Sequence, residues 1–285
     1  MTRRPSSPRS PERLVSGPML AALAMYDFPE LAAATDALWA GLRRHLRNAG
    51  FQDAPLTLDR SMSPHAQWRA PDLLFAQTCG YPLTHAFQGG LALLGTPCYD
   101  APGCAGPTYS SAIVVNKASK AQTVEDLRGT IAAYNAPDSL SGHLALRCLV
   151  APQARAGRFF AGATQTGSHL RSMELLANRD VDVAAIDCVT FALTERLRPE
   201  LTADLRILTW GPAAPALPFV TRTGWSSPQL TRLRRALIDA VADPDLAKPR
   251  AALLIGGVEF LPEDAYGRIL TLEAEADSHG YTGLG

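Results

Sequence analysis

Short apolar runs alternate along the chain with stretches in which apolar positions recur every three or four residues, the pattern of strands and helices taken in turn. Met19–Met25 (MLAALAM) reads as a buried strand. Pro29–Asn48 reads as a helix entered through a proline, with Leu31, Leu38, Leu42 and Leu46 at helical spacing and Gly50 as its stop. Pro55–Asp59 predicts a short strand, and Asp72–Gln77 (DLLFAQ) an apolar strand ending in the loop Thr78–Pro82. Beyond residue 110 the alternation restarts with strand Ser111–Asn116, helix Val124–Arg128 closed by Gly129, strand Thr130–Asn135 and a helix beginning near Ser139. A strand near Arg158–Gly162, a helix His169–Asn178, a strand Val181–Ile186, a helix through Leu197 and a strand Leu205–Thr209 follow. Strand and helix in this order predict an α/β fold of mostly parallel sheets flanked by helices.

Two punctuated stretches interrupt the pattern, Thr96–Thr108 (TPCYDAPGCAGPT) and Gly211–Pro218 (GPAAPALP), and both read as linkers. If the chain crosses to a second lobe near 105 and returns near 211, lobe 1 comprises 18–104 and 212–285 and lobe 2 comprises 105–211. Two crossings make a hinge, and a hinge permits closure over a cleft. Two sequential domains with plain linkers are the alternative. Residues 1–17 are basic and rich in Ser and Pro, which predicts a mobile tail.

Composition narrows the functions open to such a fold. Hydrophobic residues are 47% of the 285 and charged residues 19%, enough to bury a sizeable core. Lys plus Arg balance Asp plus Glu at 27 each, so there is no global field to hold nucleic acid or an acidic membrane; anion recognition has to be local. The five cysteines, Cys79, Cys98, Cys104, Cys148 and Cys188, show no CxxC spacing and so indicate neither a zinc site nor a full disulfide framework. Cys98 and Cys104 are close enough in sequence to bridge in an oxidising compartment. No run reaches the length of a membrane span, which argues against direct membrane insertion. The Met19–Met25 run is too short and too soon broken by Tyr26-Asp27-Phe28-Pro29 for a signal-peptide core, so no export signal is visible.

Three segments carry candidate chemistry. In Thr130–Arg147 (TIAAYNAPDSLSGHLALR) a strand turns through Asn135, Pro137 and Asp138 into a helix opened by Ser139-Leu140-Ser141-Gly142. Serine hydroxyls and free backbone N–H groups converge there at a positive helix end, as an anion site requires; an ordinary serine N-cap is the alternative. In Gly162–Leu176 (GATQTGSHLRSMELL), His169 stands in the first turn of a helix whose buried stripe is Leu170, Met173, Leu176 and Ala177, so the imidazole faces the loop side. It is either a donor to an oxyanion or a surface residue near a cap. Asp187 ends the strand in Asn178–Cys188 (NRDVDVAAIDC), either accepting from a ligand or capping the next helix. Ligands of open α/β sheets sit beyond the carboxyl ends of strands, where Tyr81, Asn135, Ser139 and Asp187 all fall.

The order of these features resembles the phosphate/phosphite/phosphonate-binding proteins, the substrate-binding components of phosphonate ABC transporters, with the type 2 periplasmic-binding fold. The resemblance runs from about 19 to 275 and is carried by Tyr81 after a strand, then TVEDLRG, a strand, DSLSG, GSH opening a helix, and DVDVAAID. It implies that Ser139, Ser141, Gly142, His169 and Asp187 line the ligand cleft, with Tyr81 and Tyr26 reaching in from the opposite lobe. It further implies a small-molecule anion as ligand, an ABC-transporter permease as partner, no cofactor and a periplasmic location. Leu140 stands where many relatives carry a hydroxyl residue, and Cys188 where phosphonate binders can carry an aromatic one.

Two other classes use the same fold. Relatives of the thiamine-pyrimidine synthases need an active-site lysine, whereas the chain has only Lys117, Lys120 and Lys248. A cytoplasmic ligand sensor is the alternative that fits the lack of a visible export signal. Neither GxSxG nor HExxH occurs, which argues against a hydrolase.

Overall fold

A computed structural model describes residues 19–284; the tail expected over 1–17 lies outside the described residues. Two five-stranded sheets organise the chain. Strands β1 (Leu20–Ala22), β2 (Leu73–Gln77) and β3 (Leu91–Tyr99) come first in sequence, followed by β4 (Ser111–Asn116), β5 (Ile131–Tyr134), β6 (Gly162–Gln165), β7 (Val183–Asp187) and β8 (Leu205–Trp210). The chain then adds β9 (Phe219–Arg222) and β10 (Ile255–Glu259). The first sheet has the order β1-β2-β9-β3-β10 and the second β8-β4-β7-β5-β6. Strands on both sides of 105–211 therefore share the first sheet.

The sheets are mixed rather than simply parallel. β9 pairs antiparallel with both β2 and β3, so β1, β2 and β3 share one direction while β9 and β10 oppose it. In the second sheet β5, β6, β7 and β8 run together and only β4 opposes them. Both β4 and β9 are the strands that immediately follow a passage between sheets. A chain leaving one sheet at a carboxyl end enters the other from that same side, and so runs against its neighbours.

The two passages are hydrogen-bonded to each other. Cys104–Ala105, Thr108–Tyr109 and Ala214–Pro215 form a small sheet, in which Ala214 pairs with Tyr109 and Pro215 with Thr108. The segments expected as linkers are thus partly strand, and Thr96–Tyr99 completes β3 despite Pro97. A proline removes only one ladder donor, and Pro97 keeps its place opposite Val258. Pro55–Asp59 is not a strand. Its one ladder-like bond runs from Asp59 N to Ala21 O at 2.7 Å, while the Asp59 carboxylate turns the chain by accepting from Met62 N and Ser61 Oγ. The strand expected near Arg158–Gly162 begins only at Gly162.

Helices α1 (Ala32–Asn48), α2 (Ala145–Val150), α3 (His169–Asn178), α4 (Cys188–Leu197), α5 (Ser227–Ala242) and α6 (Gly267–Ser278) cover the sheet faces. In the second sheet, Ile113 and Val115 face one core with Leu146, Phe159 and Phe160, while Ala112 and Val114 face another with Met173, Leu176 and Phe191. This two-sided burial explains why β4 is a continuous apolar run. The end of the chain does not stay beside the first sheet: Ala276, Tyr281 and Leu284 join the second sheet's core. The buried Arg147 guanidinium holds α6 there, donating to Glu273 O at 3.1 Å and Asp277 Oδ1 at 2.5 Å.

Candidate functional site

β5 and β6 pair parallel from Ile131↔Gly162 to Tyr134↔Gln165, so the loops that leave their carboxyl ends start side by side. The pairing continues past the strands: Thr166 N donates to Tyr134 O at 2.8 Å and Gly167 N to Asn135 O at 2.9 Å. Gly167 adopts φ 86°, a left-handed conformation that favours glycine, and the turn delivers Ser168 as N-cap of α3. Ser168 Oγ accepts from Arg171 N at 3.1 Å.

The neighbouring helix start is looser. Leu140–Leu144 is a π-helical turn leading into α2, with Leu144 N donating to Ser139 O at 3.1 Å. Ser139 Oγ caps this turn by accepting from Gly142 N at 3.0 Å. Gly142 is needed for packing, since a Cβ there would collide with Asn135 Oδ1. The two helix starts converge on a cavity of ≈ 460 Å³ whose wall on this side includes Asn135, Ser139, Ser141, Ser168, His169 and Asp187.

Ser141 Oγ and His169 Nε2 lie 3.0 Å apart. Burial pushes the His169 imidazole pKa down to about 4, so the ring is neutral near pH 7. The Ala185 backbone tempers that shift, but His169 Nδ1 makes no hydrogen bond of good geometry, and the buried Asn135 Oδ1 is likewise without a partner. Asp187 accepts from Thr190 N at 2.8 Å as the cap of α4 and from the Tyr26 hydroxyl at 3.0 Å. Burial holds its carboxyl above the ordinary carboxylate range against both hydrogen bonds, and the same burial raises the Tyr26 phenol.

The opposite wall comes from segments of the first sheet: Met25, Tyr26 and Phe28 after β1, His65 and Trp68 from the short helix Pro64–Arg69, and Leu217 before β9. His65 packs edge-on against Trp68 with ring centroids 5.0 Å apart, and its Nε2 lies 3.1 Å from Asp138 Oδ2 across the cavity. Arg198, over the Phe28 ring at 5.7 Å, donates to both carboxylate oxygens of Glu30, at 2.7 and 3.2 Å. Tyr26–Asp187, His65–Asp138 and Arg198–Glu30 thus each join a first-sheet segment to a second-sheet segment.

Of the residues expected from sequence, Tyr26, Asn135, Ser139, Ser141, His169 and Asp187 line one cavity. Gly142 stands behind Asn135 rather than on the wall. Tyr81 is turned away: its hydroxyl donates to Glu273 Oε1 at 2.7 Å and its ring stacks on His85 at 3.8 Å. Glu273 lies on α6, too far along the chain for this capture to be visible from the segment around Tyr81. His65 and Trp68 are not among the residues expected from sequence, although Ser63-Pro64 is a helix-start signal: Ser63 Oγ accepts from Ala66 N and Pro64 occupies the first turn. Lys117, Lys120 and Lys248 are all exposed and none lines the cavity. Cys104 faces Cys188, with sulfurs 3.3 Å apart, rather than Cys98.

The sequence model of a family described as the periplasmic substrate-binding protein of phosphonate ABC transporters matches residues 71–264. The chain belongs to this family. Its members are substrate-binding proteins, and the matched span contains both helix starts and Asp187. No curated protein sequence matches the chain. Solved structures similar to it include the binding-protein component of an ABC phosphonate transporter from Pseudomonas aeruginosa, at 20% identity and TM-score 0.73, covering 92% of this chain and 87% of that one. PhnD1 from Prochlorococcus marinus, solved with methylphosphonate, is 14% identical at TM-score 0.74, covering 91% and 98%. XAC2383 from Xanthomonas citri, solved bound to ATP, is 18% identical at TM-score 0.67, covering 92% and 98%. These likenesses establish the type 2 periplasmic-binding fold of the phosphonate-binding family. No helix among the described residues is long and apolar enough to cross a membrane.

Proposed function

We propose that this family member traps a small oxyanion of phosphate or phosphonate type between Ser139, Ser141 and His169, and hands it to an ABC-transporter permease in the periplasm. The observation that carries the reading is the convergence of two capped helix starts on one cavity, tied by the Thr166 and Gly167 amides to the Tyr134 and Asn135 carbonyls. Helix-start N–H groups and the serine hydroxyls supply donors in a fixed array, and the positive helix ends favour negative charge. On this reading 105–211 moves as one lobe against the remainder, hinged at the small sheet of the two passages, with α6 packed across from the first lobe to the second. Closure brings Tyr26 and His65 over the ligand, and the ligand's differential contacts hold the closed state.

Calorimetric titration with phosphate, phosphite, methylphosphonate and 2-aminoethylphosphonate tests the reading directly. Binding of at least one, lost on substitution of Ser141, is the expected result. Binding of a neutral heterocycle with none of the four anions overturns it.

A further inference from the structure

The two walls of the cavity differ in chemistry. The second-sheet wall presents hydroxyl, amide, carboxylate and imidazole groups with Leu170, whereas the first-sheet wall is mostly apolar, Met25, Phe28, Pro64, Trp68 and Leu217, with Tyr26, Asp27 and His65 beside them. At roughly 30 Å³ per heavy atom, the share a water molecule takes in the liquid, the five heavy atoms of methylphosphonate fill about a third of the ≈ 460 Å³ cavity. The remainder lies largely against carbon.

Charge narrows the ligand further. No Lys or Arg side chain lines the cavity, so there is no full positive charge to match a dianion. The three carboxylates on its wall already have partners. Asp27 is bound by Arg60 at 2.5 and 3.2 Å, Asp138 is faced by His65 at 3.1 Å, and Asp187 accepts from Tyr26 and Thr190. A ligand ammonium would have to share or displace one of these donors, and a second negative charge on the ligand would be repelled by all three.

We infer that the ligand is an organophosphonate with a singly charged head group and an apolar alkyl or aryl body, the head on the Ser141–His169 wall and the body against Met25, His65 and Trp68. The inference rests on the anion reading above and adds the class of substituent. Because transfer of apolar surface from water drives the body into place, affinity rises about fourfold for each methylene that reaches the apolar wall.

The decisive comparison is between propylphosphonate and 2-aminoethylphosphonate, which differ only in a terminal methyl against a terminal ammonium. Calorimetry on the full chain at pH 7 is expected to rank phenyl- and propylphosphonate above methylphosphonate, and propylphosphonate above its amino counterpart. Met25→Ser is expected to flatten the dependence on substituent length. If methylphosphonate binds as tightly as its propyl and phenyl analogues, or if 2-aminoethylphosphonate binds tighter than propylphosphonate, the apolar-body inference is overturned while the anion reading stands. If no phosphonate binds, methylphosphonate included, the apolar-body inference fails, and the anion reading fails with it only when phosphate and phosphite do not bind either.

Discussion

The Tyr26 hydroxyl donates a 3.0 Å hydrogen bond to Asp187 Oδ2 across the cavity, joining the segment after β1 to the carboxyl end of β7. Both side chains are buried, and Asp187 also caps α4 through Thr190 N. Tyr26→Phe leaves a buried carboxylate one donor short, which costs about 1–3 kcal/mol. Urea unfolding of the variant is expected to show a lowered midpoint with an unchanged slope. A loss near zero would mean that water replaces the phenol freely and that the contact does not hold the two walls together.

His169 gives the site a pH dependence whose sign is fixed. Its imidazole is held down at about 4, against an ordinary value of 6.5, because burial disfavours the charged ring. The folded protein therefore binds fewer protons here than the unfolded chain. The stability that depends on a neutral His169 is complete above pH 6.5 and is lost as pH falls toward 4, by ~1–3 kcal/mol in all. His169→Gln removes this titration, so its stability should decline less than that of the unsubstituted protein between pH 7 and pH 4.5. Parallel decline in the two proteins would locate the acid sensitivity elsewhere.

For the proposed anion contact, Ser141→Ala and His169→Ala are each expected to weaken binding of a phosphonate by about 1–3 kcal/mol, the scale of a buried or charge-assisted hydrogen bond. Ser141 Oγ and His169 Nε2 are only 3.0 Å apart, so the two losses should not add. A double variant whose loss equals the sum of the single losses would show that the pair does not act as one unit.

These two residues were legible in sequence because helix-start chemistry is local: Ser-x-Ser-Gly and Gly-Ser-His each sit within one turn of the helix they open. Their approach to one another was legible only as a consequence of parallel strand order. Tyr26–Asp187 spans 161 residues and depends on closure of the two walls, which no local pattern encodes. Tyr81 departs from its expected place for the same reason, since Glu273 on α6 captures its hydroxyl at 2.7 Å. Pro97 misled in the opposite direction: proline punctuates a loop in sequence, yet tertiary pairing with Val258 keeps it in β3.

Gly142 tests how closely the helix start is packed. A Cβ at this position collides with Asn135 Oδ1, which lies buried without a hydrogen-bond partner. Gly142→Ala must displace Asn135, at a cost of about 1–3 kcal/mol for overpacking. Asn135→Ala made in the same chain removes the collision, so the double variant should be more stable than Gly142→Ala alone. If Asn135→Ala only adds to the damage, the collision is not what limits this position.

Cys104 and Cys188 carry the last prediction. Cys104 lies in the small sheet of the first passage between sheets, and Cys188 opens α4 next to Asp187. Their sulfurs are 3.3 Å apart, whereas Cys98 Sγ faces Glu259 Oε1 at 3.7 Å. With oxidised glutathione as the acceptor of two electrons and two protons, thiolate attack through a mixed disulfide is expected to join Cys104 to Cys188 and release two molecules of glutathione. Cys188 is buried and Cys104 only half-buried, so Cys104 is the sulfur that meets glutathione first; the contact with Cys104 and burial both push the Cys188 thiol far up, so its attack on the mixed disulfide speeds up at alkaline pH. Peptide mapping without reductant should recover the Cys104–Cys188 pair, and Cys188→Ser should abolish it. Recovery of a Cys98–Cys104 pair instead would mean that the passage between the sheets rearranges on oxidation. The bond would tie the passage to the helix that Asp187 caps, so the oxidised protein should also bind phosphonate with altered affinity, restored by dithiothreitol.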